Sequence, residues 1–376
     1  MHRTFLYAFL IMGALCLWNN KFLHDLWNTN RLMIQSALVF FLYSAVSVFW
    51  NSEISSQNII DAIKIPIFIS LFVICFAYLI ANRDDFLDKM AILYASLAVI
   101  VAASLLFVDV MQGSFALSDI GFRYRLEAES GRLGNSNFFA KLFMISVLLF
   151  LFQNKIFREK SLHTPGLHIF LALAAFSVFA FFLVSTGARG ANLALIASLI
   201  ITAMVSLNRG VIVASCLFVV CVGGFLYTQP EILQNILSRA DSYRFGFWQE
   251  ALQIILNKPV FGHGFEYPIK FINPHGLETA STHNIILGVM LYGGGIGLGL
   301  FLFLSILTLY YAYQLLSAQK IYLPFALLVA GAILHLTTGH TFLVNLNVEW
   351  LYSWFVLAII MGLRVKQNKT EIDHAN

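Results

Sequence analysis

Long apolar runs follow one another along this chain, separated by short polar connections and by one long polar interval at 228–282. A helix needs about 20 mostly apolar residues to cross a bilayer. On that measure the pattern predicts spans near 4–19, 32–50, 62–81, 90–111, 137–153, 167–185, 190–207, 210–228, 284–317, 321–340 and 349–363. That makes about eleven transmembrane helices, with ten to twelve compatible with the same runs. The run from Asn284 is too long for one simple span and is crowded by Gly293, Gly294, Gly295, Gly297 and Gly299, so it is expected to begin as a tilted or interfacial segment. Within the polar interval, Ser242 to Leu256 repeats Phe245, Trp248, Leu252 and Ile255 at helical spacing. This reads as an amphipathic helix at the membrane interface, stopped by Asn257-Lys-Pro259 and turned by Gly262-His-Gly264. The expectation is an all-α integral membrane protein: one polytopic domain over 1–376, capped by a helical loop at 228–283.

Composition agrees with that class. The chain is 59% hydrophobic and 11% charged, with mean hydropathy +0.80, against about 25% charged residues in soluble domains. A net charge of +4, scattered along the chain, gives no nucleic-acid footprint. Cys16, Cys75, Cys216 and Cys221 all lie in apolar runs without metal-type spacing and read as small buried hydrophobes. The first run follows only His2 and Arg3 and lacks a small-x-small cleavage site, so it reads as a retained helix. Lys155, Arg158, Lys160, Arg209, Lys320, Arg364, Lys366 and Lys369 fall in connections that the span count puts on one side, the cytoplasmic one. Segments 112–136, 186–189, 228–283 and 341–348 then face the opposite compartment, and eleven spans place the N-terminus there too.

Charged groups at that outward boundary are the candidates for chemistry. Arg189 sits in Ser185-Thr-Gly-Ala-Arg-Gly190 between two spans. There it can snorkel, cap the preceding helix, contact lipid headgroups or bind an anion. Arg239 and Arg244 flank the start of the loop helix and could hold phosphate oxygens bidentately, with surface pairing to Asp241 or Glu250 as the alternative. His283 stands between the polar loop and the next span, where an imidazole can take a proton from a hydroxyl or simply start the helix. His263 and His275 are weaker candidates for the same role; His335 and His340 read as packing or cavity-lining residues. Arg123, Arg125 and Arg132 form an outward basic patch, suited to anionic lipid or a phosphorylated substrate, and Lys141 extends it into the next span. Phosphate-loop, zinc-hydrolase, Cys-x-x-Cys and Gly-x-Ser-x-Gly motifs are all missing, as is a paired-Asp motif for a metal-held sugar pyrophosphate. A metal-independent reaction on an activated donor, without a cofactor, fits what remains.

Three motifs together resemble the O-antigen ligase and polymerase superfamily of bacterial envelope glycosyltransferases. They are Ser185-Thr-Gly-Ala-Arg-Gly-Ala191, then Arg244-x-x-x-Trp248-x-x-Ala251 followed by Lys258-Pro-Val-Phe-Gly-His-Gly264, and finally His283-Asn284 followed by Gly294 and Gly297. The resemblance covers roughly residues 130–310 and the rest only through hydropathy. It implies a GT-C-like fold in the bacterial inner membrane with its site facing the periplasm. The implied reaction transfers a glycan from undecaprenyl pyrophosphate to a sugar hydroxyl of lipid A core in the ligase branch, or to another lipid-linked repeat unit in the polymerase branch. Arg189 and Arg244 would engage the pyrophosphate, and His283 would be the general base. Arg132, Arg125, Arg239 and Asn284 would join them in binding substrate. Membrane lipid is the remaining partner. A protein O-oligosaccharyltransferase of the same fold and, from another class, a lipid-linked-sugar flippase remain the alternatives. Outward clustering of charge and the absence of repeats argue against the flippase.

Overall fold

The computed structural model describes residues 8, 11–111, 136–153, 188–228, 244–272, 276, 278–339, 341–345 and 347–375. They form ten helices and one short strand pair: α1 Asn20–Ser47, α2 Ser56–Asn82, α3 Phe86–Met111, α4 Ser136–Gln153, α5 Arg189–Ser206, α6 Arg209–Thr228, α7 Arg244–Asn257, β1 Phe271–Ile272, β2 Glu278–Thr279, α8 Ile285–Gln319, α9 Leu323–Thr338 and α10 Trp354–Ala375. Among the described residues, four stretches are long and apolar enough to cross a membrane: Asn20–Trp50, Ser56–Asn82, Arg189–Ser206 and Ile285–Gln319. The protein is thus a mostly helical membrane protein. The expected span at 167–185 lies outside the described residues.

Helix ends differ from the apolar runs for a physical reason. Hydropathy marks only what enters hydrocarbon, whereas the hydrogen-bond ladder continues wherever packing supports it. The run expected from residue 32 therefore begins twelve residues earlier as α1, where Asn19 caps the Phe22 amide at 3.0 Å and Phe22, Leu26, Asn30 and Met33 are buried on one face. In the same way α10 continues past residue 363 to carry Lys366 and Lys369. A five-residue 3-10 turn, Val348–Tyr352, replaces the start of the expected last span. The strand pair is a departure from the all-helical expectation.

The described chain divides into two compact units: residues 1–84, 241–313 and 334–376, and residues 85–240 and 314–333. In the second unit, the buried Ser146 of α4 donates to the Tyr94 carbonyl of α3 at 3.1 Å, and Gln153 donates to Asp88 at 2.8 Å. Ser198 of α5 donates to the Ala326 carbonyl at 2.7 Å, and Asn208 to the Tyr322 hydroxyl at 3.0 Å. Lys141, the candidate intramembrane cation, is 9% exposed on α4.

In the first unit, α10 is pressed against α2. A Cβ on Gly362 would lie 2.7 Å from the Ala77 carbonyl oxygen, so only glycine permits this backbone approach. Edge-to-face rings fill the space on the N-terminal side of this contact, Phe76 on Phe355 at 5.1 Å and Phe72 on Trp350 at 5.2 Å. At the middle of α10, two residues beyond Gly362, the Arg364 guanidinium lies 3.6 Å over the Tyr311 ring. Helix α1 kinks at Asn30, whose side-chain amide donates to Leu26 within its own helix and to Met361 of α10, each at 3.3 Å.

The device that positions the loop is a break in α8. At Gly294 the backbone turns to φ 61°, ψ −163°, a region that is essentially glycine-only. A broken helix leaves carbonyls and amides without intrahelical partners, and in or near hydrocarbon each unmet group costs several kcal/mol. Here the loop after α7 supplies four partners and α1 a fifth. His263 N–H and Gly264 N–H donate to the Leu291 and Tyr292 carbonyls at 2.8 and 2.9 Å, and the Tyr43 hydroxyl donates to the Gly293 carbonyl at 2.6 Å. On the far side of the break, Gly295 and Ile296 amides donate to Pro259 and Val260 carbonyls at 2.8 and 3.2 Å. Contact is so close that a Cβ on Gly294 would meet the Val260 oxygen at 2.3 Å, and one on Gly262 the Tyr292 oxygen at 2.5 Å. The end of α1 completes the clamp: Trp50 donates to Phe261, Asn51 to Phe265, and Ser47 accepts from the Phe265 amide, at 3.2, 3.2 and 3.0 Å. The 25 residues after the break extend about 37 Å at 1.5 Å per residue, enough to cross the bilayer without Ile285–Gly293.

Two outcomes follow from these close approaches. Gly294→Ala combines a forbidden backbone region with a steric clash and is expected to cost about 3 kcal/mol, whereas Tyr43→Phe, which loses one hydrogen bond, costs about 1 kcal/mol; thermal unfolding of the purified protein in detergent checks the order. Gly362→Val is expected to separate α10 from α2 at a cost of about 1–3 kcal/mol, read in the same assay as a lower midpoint.

Candidate active site

Helix α7 has two apolar faces rather than the single stripe its periodicity suggests. Phe247, Ala251 and Ile255 are buried against Phe271 of β1 and Leu291 of α8. Phe245 and Leu252 remain 60% and 47% exposed. Of the four residues expected on one stripe, Ile255 therefore packs inward, and Trp248 is half-buried because its indole N–H donates to the Thr282 carbonyl at 3.0 Å. Glu250 fastens the other flank by accepting from the Ile272 amide at 2.6 Å.

These contacts bring two of the sequence candidates together. Arg244 is the first residue of α7 and shares a helix face with Phe247 and Trp248, three and four positions on. Both of those side chains touch the segment that carries His283. Trp248 holds Thr282, and the Phe247 ring lies 6.5 Å from the His283 ring, centroid to centroid. His283 has φ 49°, in the left-handed region, and its amide donates to Ser281 Oγ at 3.1 Å. The buried Thr282 hydroxyl donates to the Asn284 carbonyl at 2.8 Å. This local network turns the chain sharply, so that a half-exposed imidazole stands immediately ahead of α8.

Asn284 has a definite structural task. Its side-chain oxygen accepts from the Ile286 and Leu287 amides at 2.9 and 3.4 Å, capping the short half-helix before the break. Only its Nδ2 is left for a ligand. His263, the weaker candidate base, is 7% exposed, donates through Nε2 to the Ile254 carbonyl at 2.9 Å, and stacks on Tyr267 at 4.9 Å. With a carbonyl as partner that nitrogen must carry the proton, so His263 serves the clamp. His335 is buried between Phe342 and Tyr352, at 5.5 and 5.1 Å, as a packing residue.

Arg189 belongs to the second unit, where it is the half-buried first residue of α5. The buried side-chain oxygen of Asn192, three residues later, accepts no hydrogen bond among the described residues. Arginine at the first position of a helix is electrostatically uphill, since that end carries partial positive charge; a bound anion reverses the sign of the interaction. Arg189 and Arg244 share this placement. Arg132, Arg125 and Arg239, together with Arg123, His275 and His340, lie outside the described residues.

Sequence reasoning missed the end of α1. Tyr43, Ser47, Trp50 and Asn51 fix the loop that carries α7, and nothing in their local pattern distinguishes them from other interfacial residues. Beside them Glu266, at φ 56°, accepts from Asn58 through its carbonyl at 3.2 Å. Although Glu266 keeps an exposed surface, desolvation of its carboxyl, reinforced by the Asp61 carboxylate and opposed by the Lys64 ammonium, raises its pKa above the usual value.

Residues 172–302 match the family model described as O-antigen ligase. That interval contains Arg189, Arg244 and His283. Over 332 residues, which cover 88% of this chain and 77% of the relative, the sequence is 26% identical to an O-antigen ligase of Pseudomonas aeruginosa. The three motifs, the helical membrane architecture and both comparisons agree: residues 172–302 resemble the O-antigen ligase domain, and most of the chain's length is similar to one enzyme of that name.

Proposed function

We propose that this protein is an O-antigen ligase of the bacterial inner membrane. It transfers a glycan from undecaprenyl pyrophosphate to a sugar hydroxyl of lipid A core at the periplasmic face. The observation that carries this reading is the packing of the Arg244 helix on the Thr282–His283 turn, which ties an anion-binding cation to a candidate base in one hydrogen-bonded unit. Support also comes from the family to which the chain is related.

In this mechanism the His283 imidazole accepts the proton of the acceptor hydroxyl as its oxygen attacks the anomeric carbon from the face opposite the leaving group, inverting the configuration. The bond to the pyrophosphate oxygen breaks, and the negative charge gathering there is met by the guanidinium of Arg244, a role that the motif resemblance gives to Arg189 as well. Arginine suits this task because it stays charged and presents paired N–H donors to phosphate oxygens. Arg132, Arg125 and Arg239 extend the substrate-binding charge. Asn284 Nδ2 suits a sugar hydroxyl. The reaction draws on the energy already present in the glycosyl pyrophosphate, so no nucleotide, metal or cofactor enters it.

His283→Ala is expected to lower transfer by about 10²–10⁴-fold, measured with purified protein, lipid-linked glycan and lipid A core, while the protein still inserts and folds. Full activity in a correctly inserted His283→Ala variant would remove the base from this assignment. Arg244→Lys should behave like Arg244→Ala rather than like wild type, because a point charge does not replace a bidentate contact; the same assay run with a chelator should show unchanged rates. In cells, a bare core after His283→Ala marks lost ligation, whereas a core carrying a single repeat unit would assign the chain to the polymerase branch instead.

A further inference from the structure

Helix α7 turns a second apolar stripe outward. With 3.6 residues per turn, Phe245, Leu252 and Leu256 fall within about 40° of one another around the helix. They lie on the side away from Phe247, Ala251 and Ile255, which pack on β1 and α8. Leu256 is 72% exposed, and the chain continues from it into Val260 and Phe261, 53% and 56% exposed. Large apolar side chains that follow one another in this way along 245–261 are more than the scattered single residues of an ordinary surface.

Three helices fix the level at which this stretch meets the bilayer. The apolar run of α1 ends at Trp50, whose indole donates to the Phe261 carbonyl at 3.2 Å and whose ring meets the Phe261 ring edge-on at 6.1 Å. Tryptophan at the end of a span marks the membrane–water interface. The apolar run of α2 begins at residue 62, four residues after Asn58, which donates to the Glu266 carbonyl at 3.2 Å. Glu266 therefore stands about 6 Å outside the hydrocarbon at 1.5 Å per residue. The crossing part of α8 begins after Gly294, where the Gly295 and Ile296 amides hold the Pro259 and Val260 carbonyls. The chain thus leaves the hydrocarbon between Phe261 and Glu266.

This level says what covers the stripe. Val260 lies beside the exposed Ile296, so the open face of 245–261 is continuous with the lipid-facing surface of α8 that Phe303 and Ile306 extend. Helix α7 runs alongside Ile285–Gly293, with its start against Thr282–His283 and its end at the clamp.

We propose that Phe245, Leu252, Leu256, Val260 and Phe261 form a membrane-docking surface. Helix α7 lies in the plane of the bilayer on the loop's side, with these side chains in the acyl region and the exposed Gln253, Asn257 and Lys258 toward headgroups and water. Phe245 also packs edge-on against Trp248 at 5.3 Å, and Trp248 holds Thr282, so the lipid surface and the His283 turn are joined through two side chains. Docking would then hold Arg244 at the level of lipid phosphates, where a lipid-linked pyrophosphate lies. That last consequence rests on the transfer reading; the docking does not.

The test uses the full-length protein in phosphatidylcholine vesicles, with Cys16, Cys75, Cys216 and Cys221 replaced by alanine and one new cysteine at a time carrying an environment-sensitive fluorophore. Ile306→Cys, on the exposed face of α8, is the lipid reference, and Lys270→Cys, exposed in the loop, is the water reference. Phe245→Cys, Leu252→Cys and Leu256→Cys are expected to show the blue-shifted emission of Ile306→Cys and to lose it to a spin-labelled phosphatidylcholine. Gln253→Cys should instead lose emission to aqueous iodide, as Lys270→Cys does. Iodide quenching along the stripe equal to that at Gln253→Cys would overturn the proposal. Shielding of the stripe from both quenchers would overturn it too, by showing a protein surface there. Should the cysteine-free background fail to insert, wild type decides: a phosphatidylcholine with a photoactivatable diazirine on its acyl chain should label 245–261 as well as 302–306, and labelling of 302–306 alone would overturn the proposal. Transfer is not read in either experiment, so failure of the docking and failure of the transfer reading are separate results.

Discussion

Backbone hydrogen bonding at Gly294 is the constraint on which the first unit's arrangement depends. A helix interrupted near the bilayer exposes polar groups that no water reliably satisfies. The chain resolves this by threading 259–264 through the gap, so that the carbonyls before the break and the amides after it find partners in the loop. One consequence is local: glycine is required at 262 and 294, where either Cβ would strike a backbone atom. A larger one is that the loop following α7 cannot move independently of the half-helix following His283.

That linkage explains how a polar excursion becomes a candidate site. Helix α7 is held at its C-terminal end through the clamp and at its N-terminal end through Trp248 and Phe247. Arg244 and His283 inherit their relation from this two-point attachment, without any direct bond between them being needed to set it. Functional groups mounted in this way keep their geometry because surrounding packing and hydrogen bonds over-determine it. His263 contributes as one of those fastenings, which is why it is buried and bonded to a carbonyl while His283 is half-buried.

Much of the candidate site is legible in the residues. Arg189, Arg244 and His283 were singled out because ionisable groups at the ends of apolar runs are costly without a purpose. The loop helix was legible in its periodicity, and the glycine crowding after Asn284 signalled that α8 is not a simple span. Periodicity failed over which face of α7 is buried: Phe245, Trp248, Leu252 and Ile255 recur together, but hydrophobicity cannot distinguish a side chain facing lipid from one facing protein. Nor could it reveal Tyr43, Ser47, Trp50 and Asn51, whose partners lie more than 200 residues away.

The sequence by itself determined the class of molecule, the apolar runs, the loop helix and the identity of the candidate cations and base, because each depends on local composition and spacing. Tertiary structure alone decided that α8 breaks at Gly294 and that 259–264 fills the break. It also packed the helix that opens with Arg244 on the Thr282–His283 turn and left the Trp354 N–H without an acceptor among the described residues. These features depend on which distant backbone groups meet, and hydrogen bonds between residues far apart in the chain leave no periodic trace along it.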